Sequence, residues 1–301
     1  MYLITGIAGF IGSHMAEEII INSNNQNIDI IGIDNFYSGK RENIDFLIEL
    51  ASKNRVNLHF YEEDVRNKKN LTSIFEKHEI KYIFHLSAIA SVQKSIEDSE
   101  FTNSVNVLGS LNLLNLARDF RIKKFVFSSS ASVYGDEPTL PKNEESPIKP
   151  ISPYGLEKYT VENYMKLYSE IFNLNSVVLR YFNVFGERQD PKSDYSGVIS
   201  IFEDRLKNNQ DIFIYGDGEQ YRDFIYVKEV VKINLKVLKL EKKFDIFCVG
   251  SGTKTTINKL YLDIKNRYKS NSKVIYKKAR EGDIRESIAD TTRIKKLGIL
   301  Y

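Results

Sequence analysis

Short β-branched runs alternate with amphipathic helical patterns over the first 180 residues, and no other feature constrains the fold so tightly. "YLIT" leads into "GSHMAEEIII", "IDIIGID" into "RENIDFLIEL", and "NLHFYEED" into "KKNLTSIFEKH". "KYIFHLSA" leads into the long "EFTNSVNVLGSLNLLNLARDF", and "KKFVFSSS" into "LEKYTVENYMKLYSEIF" and then "NSVVLRYFN". Such βα alternation predicts a parallel sheet with right-handed crossovers. The runs are nearly continuous in Ile, Val and Phe, as strands covered on both faces must be. The expected fold is therefore α/β, a Rossmann doubly wound parallel sheet. After Asn183 the pattern loosens through "GERQDPKSDYSG" into shorter elements. These predict a smaller α/β C-terminal domain over 181–301 beside a first domain of 1–180. Part of 219–250 is open to returning to the first sheet.

The first strand is followed by Gly6, Gly9 and Gly12 in "TGIAGFIG". A dinucleotide-binding βα turn needs glycine for the tight turn, for close backbone approach to a pyrophosphate, and where helix meets strand. The helix start then offers free N–H groups and a positive dipole end to phosphate. The spacing here is G-x-x-G-x-x-G, so context carries the argument. A strand precedes it, a helix follows, and an acid, Asp34, ends the second strand 22 residues past Gly12. A carboxylate there accepts from a ribose 2′-hydroxyl and repels a 2′-phosphate, which favours NAD over NADP.

"SPYGLEKY" places Tyr154 and Lys158 one helical turn apart, on one face. A phenol is a weak base at neutral pH, and a nearby ammonium favours its ionised form. The pair follows the fifth strand, whose end "FSSSASVYG" offers Ser130 as a hydroxyl to relay a substrate proton. Strand ends are where open parallel sheets bind ligands.

With these motifs the chain resembles the extended short-chain dehydrogenase/reductases, and among them the nucleotide-sugar 4-epimerases typified by UDP-galactose 4-epimerase. The resemblance spans nearly the whole chain and rests also on "DNFYSGKREN", "HLSAIASV", "LRYFNVFG", "YGDGEQYRDFIYV" and "REGDIRESIAD". It implies that Gly6, Gly9, Phe10, Ile11 and Gly12 hold the NAD pyrophosphate, and Asp34 and Asn35 the adenosine ribose. Asp64 and Val65 would flank adenine, and Leu86, Ser87 and Ala88 line the cofactor path. Tyr154 would be the base, Lys158 would hold the nicotinamide ribose, and Ser130 would assist. Asn183, Arg222, Arg280 and Asp283 would bind the nucleotide diphosphate and its ribose. The implied reaction is a borrowed oxidation: hydride leaves sugar C4, the 4-ketose turns over, and hydride returns to its other face.

Three departures from the family pattern matter. Ala90 stands where galactose-type epimerases often carry Lys. Ala131 and Ser132 replace the Asp-Glu pair of the 4,6-dehydratases, which removes the acid/base agents for water elimination. Ser287 stands where epimerases restricted to glucose and galactose hold Tyr, which opens space for an N-acetyl group. The expected substrate is therefore UDP-N-acetylglucosamine/UDP-N-acetylgalactosamine, with UDP-glucose/UDP-galactose also open. The rival readings are a nucleotide-sugar 4-ketoreductase or 4,6-dehydratase on the same scaffold, an epimerase acting on a different sugar, and a non-catalytic NAD-binding regulator. A regulator has no need of Tyr154, Lys158 and Ser130 together.

The bulk composition bounds the remaining possibilities. The net charge is +3 and the lysines are scattered, which argues against a nucleic-acid partner. No run approaches the ~18 apolar residues of a membrane span. No signal-peptide pattern opens the chain, so a cytoplasmic location is expected. The single cysteine, Cys248, reads as a buried thiol. The four histidines have no metal-ligand spacing, so no metal is expected. The resemblance further implies a homodimer through helices near residues 91–120 and 152–173.

Overall fold

The computed structural model describes residues 1–23, 28–191, 197–279 and 285–298. In chain order the first elements are β1 (Tyr2–Thr5), α1 (Phe10–Ile21), β2 (Asp29–Asp34), α2 (Arg41–Lys53), β3 (Asn57–Glu62), α3 (Lys68–Lys77) and β4 (Tyr82–His85). Next come α4 (Val92–Glu97), α5 (Ser99–Asn103), a wide π-helical turn at Ser104–Leu108, α6 (Gly109–Asp119) and β5 (Lys124–Ser130). A 3-10 turn (Ala131–Tyr134) precedes α7 (Pro153–Phe172), β6 (Ser176–Tyr181) and β7 (Asn183–Phe185). The rest comprises α8 (Val198–Lys207), β8 (Ile212–Tyr215), β9 (Tyr221–Arg222), β10 (Phe224–Tyr226), α9 (Val227–Val237), β11 (Phe244–Val249), β12 (Thr255–Thr256), α10 (Ile257–Tyr268), β13 (Val274–Lys277) and α11 (Thr292–Lys296).

Seven strands form one parallel sheet in the order β11-β6-β5-β4-β1-β2-β3. Strand order reverses between β1 and β4, and the crevice at such a switch point is where this architecture takes its ligand. The strands read as continuous apolar runs because apolar layers cover both faces. Ile4, Met15, Leu47, Val126 and Val230 build one layer; Leu3, Phe75, Leu113, Phe127 and Val161 build the other. β11 pairs with β6 from Phe244–Ser176 to Val249–Tyr181, and α9 packs its buried face into the first layer. The segment "KFDIFCVG" therefore lies in the large sheet, although it follows the shorter elements in sequence. A separate apolar cluster joins α8 and α10 to β8 and β13 through Phe202, Leu206, Ile214, Leu260 and Ile264.

The segment that reads as one long helix, 100–120, is α5 and α6 fused through the π turn. Such widened turns free a carbonyl from the helical ladder and concentrate at functional positions. Here the turn carries Asn106, buried, toward the loop after β4. Among the described residues no helix is long and apolar enough to cross a membrane.

Candidate active site

One cleft opens at the C-terminal edge of the sheet and encloses about 450 Å³. Its walls include Gly6, Gly9, Phe10, Ile11, Gly12, Asp34, Asn35, Asp64, Val65, Leu86, Ser87 and Ala88. They also include Ser130, Tyr154, Lys158 and Asn183. Residues spread over 178 positions thus meet because each follows, or ends, a parallel strand.

The glycine turn is sterically fixed. A Cβ on Gly12 would lie 2.0 Å from the Gly6 carbonyl oxygen, so no other residue fits there. α1 starts at Gly9 with no side-chain cap and no acidic residue in its first turn, which leaves its positive end for an anion. Asp34, buried beside this turn, accepts from the Ala8 amide at 2.9 Å and the Phe36 amide at 2.8 Å. Burial raises its carboxyl above the ordinary value, and the two amides oppose this. A carboxylate offers about four acceptor positions, so capacity remains for a ligand hydroxyl. Further along, Asn35 donates to Asp64 at 2.8 Å. Asp64 is held below the ordinary carboxylate range: burial works against this, and hydrogen bonds from Arg66 and Asn35 outweigh it. A glycine turn closed to any Cβ, an uncapped helix start and an acid at the end of β2 fit a dinucleotide with a free 2′-hydroxyl.

The candidate reacting groups Tyr154 and Lys158 stand on the first turns of α7. Ser152 caps that helix by accepting from the Gly155 amide at 3.2 Å, and Pro153 supplies a preset first residue. Gly155 is required for a different reason. A Cβ there would come within 2.6 Å of the Ser132 carbonyl oxygen, so glycine lets α7 lie against the turn that carries Ser130. Burial pushes the Tyr154 phenol up to about 12; the Ser130 hydroxyl pulls it down and Glu157 adds to the rise. Lys158 donates to the Ser128 carbonyl at 2.8 Å and lies 4.7 Å from the Phe127 ring centroid and 5.8 Å from that of Tyr154. Burial lowers its ammonium to about 8, and Glu157 and Glu162 resist the fall. The i, i+4 spacing brings the lysine beside the phenol ring, while its hydrogen bond goes to β5.

Under the cleft a chain of hydrogen bonds has a fixed direction. The Ser110 hydroxyl donates to the Asn106 carbonyl at 2.5 Å, so it accepts from His85 Nε2 at 2.8 Å. His85 Nδ1 is then the acceptor for Thr5 Oγ1 at 2.7 Å. The Leu86 and Ser87 amides, each 3.2 Å away, donate to that same Thr5 oxygen. Burial, with Lys158 adding to it, lowers His85 to about 3 and keeps it neutral.

The residues expected to bind the sugar nucleotide are more dispersed: Asn183 lines the cleft, and Arg222 and Ser287 lie outside its lining. Asn183 donates its backbone and side-chain N–H to the Asp223 carbonyl at 3.1 and 3.0 Å. Arg222, half-buried on β9, donates to the carbonyls of Tyr221 and Arg285. Ser287, half-buried, donates its amide to the Tyr221 carbonyl at 3.2 Å, next to that arginine. Arg280 and Asp283 lie outside the described residues. Lys40, Arg188, Gln189 and Asp190 also line the cleft, and sequence reading passed over them. A Lys40–Asp190 ion pair of 2.9 Å crosses from the start of α2 to the loop after β7. Among the described residues the buried side-chain oxygen of Gln189 has no hydrogen-bond partner. The signal was the polar run "GERQD", whose place over the cleft is set by tertiary contacts. Among the described residues no group of His, Cys, Asp or Glu is arranged to hold a metal.

Comparisons with known proteins show what the whole chain resembles. A chain from Thermotoga maritima, a UDP-glucose 4-epimerase solved with UDP-glucose, superposes with a TM-score of 0.91 at 38% identity, covering 99% of this chain and 92% of that one. A UDP-N-acetylglucosamine 4-epimerase from Methanobrevibacter ruminantium, in complex with UDP-N-acetylmuramic acid, superposes at 0.90 with 38% identity, covering 98% and 91%. A Mycolicibacterium smegmatis UDP-glucose 4-epimerase is 32% identical over 98% of this chain and 91% of its own length. Residues 2–250 match the model of the NAD dependent epimerase/dehydratase family. The chain belongs to that family of NAD-dependent enzymes.

Proposed function

We propose that this enzyme interconverts the C4 epimers of a UDP-hexose through a transient 4-keto sugar, with UDP-N-acetylglucosamine and UDP-N-acetylgalactosamine as the favoured pair. The observation that carries the reading is the convergence of Tyr154, Ser130 and Lys158 on the cleft that also holds the glycine turn and Asp34. NAD, when bound, supplies reversible acceptance and return of a hydride at sugar C4. Gly6, Gly9, Phe10, Ile11 and Gly12 would hold its pyrophosphate, Asp34 and Asn35 its adenosine ribose, and Asp64 with Val65 its adenine. Leu86, Ser87 and Ala88 would flank its path, and Lys158 would hold the second ribose.

The chain's own residues move the proton. Tyr154 Oη takes it from the 4-hydroxyl and returns it when the alcohol re-forms. Ser130, at the end of β5, shares that proton and orients the sugar oxygen. Lys158 keeps a positive charge beside the phenol, which favours the phenolate. Ala131 and Ser132 present no carboxylate next to Ser130, so elimination of water has no acid here. Asn183, Arg222, Arg280 and Asp283 would grip the nucleotide diphosphate; planar guanidinium forks suit phosphate oxygens. On this reading residues 1–180, with β11, serve the cofactor and most of 181–301 serves the sugar nucleotide.

Ser287 carries the choice of sugar. A serine leaves room for an acetamido group where a phenol would fill it, and overpacking such a site costs ~1–3 kcal/mol. The smaller UDP-glucose also fits the open pocket. A homodimer completes the reading, because Leu156, Leu167 and Ile171 on α7 lie exposed, as do Val92 and Ile96 on α4. The test denatures purified enzyme to look for released NAD, then offers UDP-sugars without added cofactor. Conversion of UDP-N-acetylglucosamine is expected, and Ser287→Tyr should lower its kcat/KM relative to UDP-glucose by about ten- to a hundredfold. A wild type that ignores acetylated sugars would refute the substrate assignment, and an unchanged ratio would refute Ser287 as the gate.

A further inference from the structure

Four charged side chains are buried on or against α7: Glu157, Lys158, Glu162 and Arg180. Arg180, reaching in from β6, forms a 2.6 Å ion pair with Glu162, and the Ser129 hydroxyl donates to the same carboxylate. That pair is complete. Among the described residues, neither Lys158 nor Glu157 has an opposite charge within 4.0 Å. Glu157 instead accepts from Thr102 Oγ1 and from Asn106 Nδ2, both at 2.6 Å. Lys158 has the Ser128 carbonyl and the Phe127 and Tyr154 rings around it. A buried ammonium without a counter-charge is strongly disfavoured and tends to lose its proton. With Glu162 committed to Arg180, Glu157 is the carboxylate left to balance Lys158.

Asn106 fixes that carboxylate in place. It sits in the π turn, accepts from the Ile89 amide at 2.8 Å and donates to the Ile89 carbonyl at 3.1 Å. The residue before the lysine is thereby tied to the loop that follows β4 and lines the cleft.

We propose that Glu157 is a positioning residue of the active site: its carboxylate, clamped by Thr102 and Asn106, is the counter-charge that keeps Lys158 an ammonium. Of the other groups facing Lys158 only Glu162 also favours the ammonium, and its charge is shared with Arg180. His85, from β4, is neutral; Tyr154 is a phenol; β5 offers a carbonyl and a ring; Glu162 is already paired. Burial lowers the Lys158 ammonium, and the charges of Glu157 and then Glu162 oppose that fall. The inference rests on the reading of Lys158 as the cation of the catalytic pair.

The experiment follows Lys158 itself, in protein as purified and labelled with 13C-lysine. Its ε-carbon resonance is identified by loss in Lys158→Arg and titrated by NMR. Glu157→Gln, which keeps the shape and loses the charge, should lower the Lys158 midpoint by about one pH unit. Glu157→Asp, which keeps the charge, should leave it within about 0.3 of wild type. The alkaline limb of the kcat profile should move with the midpoint. An unmoved midpoint in Glu157→Gln overturns the proposal, even with a lower Tm, because a lower Tm alone is what a packing contact gives. If Glu157→Gln does not fold, Thr102→Val removes one donor to the carboxylate and should shift the midpoint the same way by less; no shift there also overturns it. The titration needs no sugar. A wild type that converts no UDP-sugar would remove the proposed function and leave the lysine result standing.

Discussion

The proposed cofactor end of this cleft and the segments proposed to bind the sugar nucleotide, here called the sugar end, are built by different means. At the cofactor end, long parallel strands deliver side chains in fixed register, and buried polar groups lock the loops that follow. The proposed cofactor residues line the cleft there. At the sugar end, β9 and β12 are two residues each, joined antiparallel, and the 285–289 segment bridges β9 at Tyr221–Glu286 and the Lys142 loop at Ala289. What holds that end is a fully buried carboxylate, Asp223. Its oxygens accept from the Ser251 amide and hydroxyl, the Gly252 amide and the Ala289 amide, at 2.6 to 3.0 Å. Its own carbonyl receives Asn183. The cofactor end is thus set by sheet geometry, and the sugar end by one hub that joins separate segments. Changes at the first should disturb chemistry or folding, and changes at the second should disturb sugar binding.

The largest effect is expected where the two ends meet. Tyr154→Phe removes the proposed base and leaves the fold, because the phenol oxygen makes no structural bond that α7 needs. General-base removal typically costs ~10²–10⁴-fold. NAD content should be unchanged and kcat should fall by that range. Retention of more than about a tenth of wild-type kcat would exclude Tyr154 as the base.

Next comes the sugar end alone. Arg222→Ala should weaken UDP-sugar binding by about ten- to a hundredfold, since charge-assisted hydrogen bonds contribute about 1.5–3 kcal/mol. NAD retention should be untouched. Calorimetry with UDP, beside the NAD content of the same preparation, checks both. Equal loss of the two ligands would break the comparison and make Arg222 a residue of the fold.

Much of the cofactor end could be read in the sequence because its signals are local. Glycine spacing, strand alternation and the Tyr154–Lys158 interval all survive without tertiary information. Glu157 could not be read. In "GLEKY" it looks like a solvated helical residue, and it is buried because α5 and the π turn cover that face. The π turn itself leaves no trace in a sequence that reads as continuous helix. β11 was readable as a strand, but its place beside β6 depends on how the chain crosses back after α9. Asp223 reads as one acid in "YRDF", since its four donors come from residues 28 to 66 positions away.

The smallest effect sharpens the comparison from beneath the cofactor end. His85 is buried and neutral, with Nδ1 accepting from Thr5 and Nε2 donating to Ser110. Its folded value, lowered by burial to about 3 from an ordinary 6.5, sets the sign of the acid response. Between those values the unfolded chain binds a proton that the folded chain refuses, so stability falls as pH drops below 6.5. The slope approaches about 1.4 kcal/mol per pH unit, and at pH 5.5 the loss is about that size. His85→Gln loses this term. It should be less stable than wild type at pH 7.5, and the gap should narrow by about 1.4 kcal/mol at pH 5.5. Urea unfolding of both proteins at the two pH values measures the gap. A gap that stays constant would mean that folded His85 accepts the proton, so that Nδ1 donates to Thr5 Oγ1 instead of accepting from it.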